Sequence, residues 1–176
     1  MEKYEKEVRL ELAKWQKQML HRPSLFNKFS KKLQTKINSW IPEKVHNTIT
    51  TAIKQMIRVV LFGATHTSSN PSIQKSFELK EIAIQERIKN YRNTAAIEGG
   101  VTGAGGILMG LADFPILIGI KLKLLFDIAT MYGYDVKNYK ERVYLLHILE
   151  LAFSSHQNRK QVYLKMIDWD EKSKEL

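Results

Sequence analysis

The sequence predicts an all-α fold, a bundle of about six to seven helices gathered around a glycine-rich helical hairpin at residues 94–133. Three observations predict it. Apolar residues recur at three- and four-residue steps in one segment after another, which places them on single helical faces. No stretch of useful length alternates apolar with polar residues as a half-buried strand would. Eight of the nine glycines fall between Gly99 and Gly133, among small residues spaced four apart: Ala95, Gly99 and Gly103 on one line, Thr102, Gly106 and Gly110 on another.

The elements follow in order. Glu2–Leu20 carries Tyr4, Val8, Leu12, Trp15 and Met19 on one face, with an acidic first turn and basic later turns that suit the helix dipole. Pro23 closes it. Ser24–Ile41 sets Leu25, Phe29, Leu33, Ile37 and Ile41 on one line, with Phe26 and Trp40 beside it. Lys28, Lys32 and Lys36 form the adjacent line, joined by Lys31. A basic amphipathic helix with aromatics near both ends suits a membrane interface. It equally suits a helix whose apolar line faces a core and whose lysines face water. Pro42 restarts the chain in Glu43–Phe62, and the polar, turn-rich Ala64–Ser72 reads as a linker. Phe77–Ala96 buries Phe77, Ile84, Ile88, Tyr91 and Ala95 and runs straight into the hairpin.

The hairpin has arms at about Thr94–Leu111 and Pro115–Tyr132, with a corner at Ala112–Phe114. Pro115 suits a first turn and Gly133 a left-handed stop. Each arm is roughly 27–28 Å long at 1.5 Å per residue, close to the bilayer's hydrocarbon thickness. Insertion is nevertheless poorly supported. The large apolar residues give about −5 kcal/mol, a central Asp113 costs about +3, and the glycines, Pro115, Lys121, Lys123 and Asp127 erode the rest. Shallow insertion or burial among other helices fits better. Glycine in an ordinary soluble helix costs about 1 kcal/mol against alanine, so Gly99, Gly103, Gly106 and Gly110 are expected to serve close helix packing. Neither phosphate-binding glycine motif fits: Gly105-Gly106 is followed by Ile107-Leu108 instead of Lys-Ser/Thr, and Leu108 stands where a dinucleotide fingerprint needs glycine.

Beyond the hairpin, Asn138 and Glu141 resemble a capping box, Val143–Phe153 is apolar nearly all round as a core helix would be, and Gln157–Ile167 makes a last short helix. The chain thus divides into a basic region 1–63, a helical core 73–167 and a polar tail 168–176, together one domain.

Charge is unevenly placed. Of the net +10, all of it belongs to Met1–Asn93, and within Lys14–Arg58 the basic residues face the single acid Glu43. That half meets an anionic partner or serves solubility. No cysteine is present, which excludes disulfides and thiolate metal sites. The N-terminus lacks the apolar core and cleavage site of a secretion signal, so the expected location is cytoplasmic.

No catalytic motif emerges. Glu43 and His46 supply one Glu-x-x-His where a di-iron bundle needs two, and Ser154-Ser155-His156 is adjacency, not a triad. No metal and no cofactor is expected. His147, one turn from Glu150, reads as a satisfied core histidine. The constellation worth following is Glu98, Asp113, Lys121, Lys123 and Asp127, ionisable groups set among Gly, Leu and Ile. Lys123 and Asp127 are four apart and can pair, whereas Lys121 points elsewhere. Such charges are expensive unless paired. The set reads as an ion network joining the two arms, with Glu98 or Asp113 as the alternative acid or base of a hydrolase.

At these residues the chain resembles a known family. The run EGGVTGAGGILMGLADFPILIGIKLKLLFDIATMYGYD, with RPSLFNKFSKKLQTKINSWIPEKVH before it and YLLHILELAFSS after it, is similar to the EcsC protein family of Bacillus-type bacteria. The resemblance runs from about Glu11 to Phe153, in three blocks in order. It implies a partner among the Ecs ABC-transporter subunits, and it implies no assigned chemistry. Family members usually continue well past the point where this chain stops. The resulting expectation is a non-enzymatic protein peripheral to the inner face of the cell membrane. Phe26, Lys28, Phe29, Lys31, Lys32, Lys36 and Trp40 would bind anionic lipid. Nucleic-acid binding through residues 14–58 is the other rival, disfavoured because the aromatics lie on apolar lines and not among the lysines.

Overall fold

The computed structural model describes residues 3–21, 50–58, 76–102 and 114–176, and of 97–102 and 156–157 the backbone alone. In chain order the helices are α1 (Lys3–Leu20), α2 (50–58), α3 (Phe77–Thr102), α4 (Phe114–Tyr132), α5 (Tyr139–Phe153), α6 (His156–Met166) and the single turn α7 (Trp169–Lys172). The all-α class is as the sequence predicts, and no strand occurs among the described residues. The helix expected at Ser24–Ile41, with Phe26, Lys28, Phe29, Lys31, Lys32, Lys36 and Trp40, lies outside the described residues, as do the linker, the hairpin corner, Gly103, Gly106, Gly110 and Asp113.

The chain forms two compact units, Met1–Ser39 with Leu146–Leu176, and Trp40–Leu145. In the first, α1 packs against α6. Met19 is buried and Trp15 meets Tyr163 edge-on, with ring centroids 5.6 Å apart. The other members of that core are Leu151, Val162, Tyr163 and Met166.

In the second unit, α3 packs against α4. Ile118, Leu122, Phe126 and Ala129 are buried on α4 at four- and three-residue steps, one helical face, and Ile84 is buried on α3. Burying each large apolar side chain contributes about 1.5–3 kcal/mol. The helix expected at Phe77–Ala96, running straight into the first hairpin arm, is one continuous rod to Thr102 that passes through Gly99 and Gly100. The second arm ends where expected. Gly133 has φ +99°, its N–H donates to the Thr130 carbonyl oxygen at 3.0 Å, and the Tyr134 N–H donates to that of Ala129 at 3.0 Å. This is a Schellman stop, which satisfies carbonyls the helix end would otherwise leave open.

Asn138 caps α5 by accepting the Lys140 N–H on its side-chain oxygen at 3.0 Å, while its own N–H donates to the Asp135 carbonyl oxygen at 2.9 Å. The helix it opens is less deeply set than an all-apolar pattern implies. Leu145 and Leu151 are buried, but Phe153 is exposed. Residues 168–176, expected as a solvated tail, are mostly exposed but wound into α7 and a 3-10 turn over Ser173–Glu175. Asp168 makes the corner at φ 56°, and the Lys172 ammonium donates to the Leu164 and Ile167 carbonyl oxygens, 2.6 Å each, at the end of α6.

Candidate functional site

Four side chains meet where α3 faces α4. Arg87 and Tyr91 stand one turn apart on α3, and Lys123 and Asp127 one turn apart on α4, so each helix presents a pair on a single face. The Tyr91 hydroxyl donates to Asp127 Oδ2 at 2.7 Å. Lys123 Nζ donates to the Tyr91 oxygen at 2.9 Å and lies 3.7 Å from Asp127 Oδ2, with its charge 5.6 Å from the Tyr91 ring centre. Arg87 Nη1 approaches the same carboxylate oxygen at 3.9 Å. The carboxylate is largely enclosed, its side chain 13% exposed, whereas those of Arg87 and Lys123 are 46% and 56% exposed.

The surroundings shift two of the four groups. Burial pushes the Tyr91 phenol above its usual value, and its bond to Asp127 adds to this against the opposing pull of Lys123. The hydrogen bond to Tyr91 holds Lys123 above its usual value, and the Asp127 charge adds to this despite partial burial. Both groups are moved away from neutrality. A general acid or base works best with its pKa near the operating pH. Neither shift brings Tyr91 or Lys123 toward that range.

Of the network expected from sequence, the structure brings together Lys123 and Asp127. Lys121 is exposed elsewhere on α4. Glu98 and Gly99 lie on the backbone of α3, with side-chain surroundings outside the described residues, as is all of Asp113. The sequence reading missed two members. Spacing along the chain does not mark Arg87, and it places Tyr91 only on the apolar face of its helix.

The α3–α4 contact has a second polar tie, in which the Tyr132 hydroxyl donates to Glu81 Oε1 while its ring stacks on Phe77, centroids 6.2 Å apart. In the other unit, His147 Nδ1 pairs with Glu150 Oε2 at 3.0 Å, and Lys165 Nζ donates to Glu150 Oε1 at 3.0 Å. The His147 ring meets Trp169 edge-on at 5.5 Å. His147 is thus a partnered histidine, as its spacing suggests. Burial alone would push the Glu150 carboxyl up, but its bonds to His147 and Lys165 together outweigh that and hold it below its usual value. Among the described residues no three His, Asp or Glu side chains are arranged to hold a metal ion.

Comparison with known proteins supplies the wider context. The EcsC protein family matches residues 6–175. Protein EcsC of Bacillus subtilis (strain 168) is 39% identical over 169 residues, which cover 94% of this chain and 71% of that protein. The uncharacterized protein YdbA of the same organism is 26% identical over 181 residues, covering 92% of this chain and 66% of that one. No solved structure matches.

Proposed function

Given that the chain belongs to the EcsC protein family, we propose that it is a non-enzymatic accessory protein at the cytoplasmic face of the bacterial membrane, where it partners an ABC transporter. The observation that carries the membrane reading is the N-terminal half of α4. Ile116 and Leu117 are exposed there, 57% and 36%, and exposed Lys121 and Lys123 follow within two turns. An apolar helix start flanked by cations suits a helix that dips into the headgroup–acyl boundary, about 5–10 Å deep. Each lysine near an anionic leaflet adds about 1 kcal/mol. The net charge of +10 favours the same surface. The proposed attachment is peripheral, and among the described residues no helix is long and apolar enough to cross a membrane. The transporter partner rests on the family resemblance alone.

Flotation with vesicles tests the reading. The protein is expected to float with phosphatidylcholine–phosphatidylglycerol vesicles at low salt, to bind less as salt rises, and to stay at the bottom with phosphatidylcholine alone. Equal behaviour with both vesicle types would overturn it. Co-purification with ABC-transporter subunits from native membranes tests the partner.

A further inference from the structure

We propose that Arg87 and Lys123 form a two-armed cradle for the phosphate group of an anionic phospholipid, with Asp127 and Tyr91 as the strut that holds the arms together. The inference deepens the membrane reading and rests on it.

The geometry points there in three ways. The first is unused donor capacity. Arg87 and Lys123 converge on one carboxylate oxygen at 3.9 and 3.7 Å, both longer than the about 2.7–3.2 Å of an N–H···O hydrogen bond. The short bond to that oxygen belongs to Tyr91. Among the described residues Arg87 has no hydrogen-bond partner, and Lys123 has one, Tyr91. A guanidinium fork and most of an ammonium's donors are therefore left facing water, and these are the groups that match phosphate oxygens.

The second is charge. Two cations surround one carboxylate, so the cluster keeps a surplus positive charge at its exposed rim while its negative centre is enclosed. An anion approaching from solvent meets the arms first. The Tyr91 bond also keeps Asp127 directed inward, so it does not close a tight salt bridge with either arm.

The third is depth. Ile116 precedes Lys123 by seven residues, two helical turns, so both lie on the same line of α4 about 10 Å apart. With exposed Ile116 among acyl chains, Lys123 and Arg87 fall at headgroup level. That registration favours a lipid phosphate over free phosphate as the occupant.

The test uses the full chain and two charge-matched double variants. Arg87→Gln with Lys123→Gln empties the cradle. Lys89→Gln with Arg92→Gln removes the same charge from exposed positions of α3 outside it. Partitioning onto phosphatidylcholine–phosphatidylglycerol vesicles is expected to fall about tenfold further for the first pair than for the second. The single Arg87→Gln, which leaves every Tyr91 bond in place, is expected to show part of that loss and serves should the double variant fold poorly. Equal losses from the two pairs would overturn the cradle while leaving membrane binding intact. If the wild type binds neither vesicle type, the membrane reading fails and the cradle falls with it. Titration with inorganic phosphate separates the sources: binding by the wild type that matches its vesicle affinity would overturn the assignment to lipid.

Discussion

The Tyr91 hydroxyl donates to Asp127 at 2.7 Å across two helices and 36 positions of sequence. It ties α3 to α4 through a carboxylate that is mostly shielded from water. A hydrogen bond to a charged group contributes about 1.5–3 kcal/mol, and partial exposure places this one toward the lower end. Tyr91→Phe is therefore expected to destabilise the chain by about 1–2 kcal/mol in urea unfolding. Asp127→Asn introduced on top of Tyr91→Phe should cost clearly less than Asp127→Asn alone, because the two residues share one interaction. Strict additivity would mean that the bond contributes nothing.

Two glycines of α4 and its end are expected to behave oppositely. At Gly133 a Cβ would touch nothing within 4 Å among the described residues, but φ is +99°. The cost of Gly133→Ala is then conformational, about 1–2 kcal/mol. At Gly119 the added Cβ would meet, among the described residues, only Met56 Cε at 4.0 Å, an ordinary contact, in the middle of a helix. Gly119→Ala is expected to stabilise by about 0.5–1 kcal/mol through helix propensity. Thermal melts of both variants check the pair, and a loss at Gly119 would mean that its small size is required for packing.

Much of this was legible before any coordinates. Pro115 and Gly133 delimit α4 within a residue, because each signal acts locally through φ. The Lys123–Asp127 pair was legible too, since four-residue spacing needs no knowledge of a partner helix. Arg87 and Tyr91 were not, because joining them to Asp127 requires the register of α3 against α4, which no spacing rule supplies. The signal that could have found them is the same one, a cation and a phenol one turn apart on α3. The winding of the C-terminal segment is hidden for a related reason. Its charges read as a solvated tail, and most of it is exposed, but Trp169 among them marks the point that folds back, where its ring meets His147.

The corner at Asp168 offers a local test. A non-glycine residue at φ 56° is strained, though Asp tolerates it better than most. Asp168→Gly is expected to raise stability by about 0.5–1 kcal/mol, provided that Lys172 keeps its grip on the Leu164 and Ile167 carbonyls. Lys172→Met should lower stability and erase most of that gain. A thermal melt of the single and double variants separates the two effects.

The charged clusters make stability depend on pH from opposite sides. The Glu150 carboxyl is held below its usual 4.5, so the folded state binds its proton less readily than the unfolded chain. Its contribution is therefore complete above that value and disappears as pH falls through the lower folded one. Tyr91 and Lys123 are both raised, from 10.0 and 10.5, so the folded state holds those protons more tightly. Their contribution is complete below about pH 10 and is lost as pH rises through the higher folded values. Melting temperature against pH should show an acid limb that flattens in Glu150→Gln and an alkaline limb that flattens in Tyr91→Phe. Each substitution should leave the other limb in place, because Glu150 and Tyr91 share no hydrogen-bond partner. A Glu150→Gln chain that keeps the wild-type acid limb would show that the His147 and Lys165 contacts do not hold the carboxylate in solution.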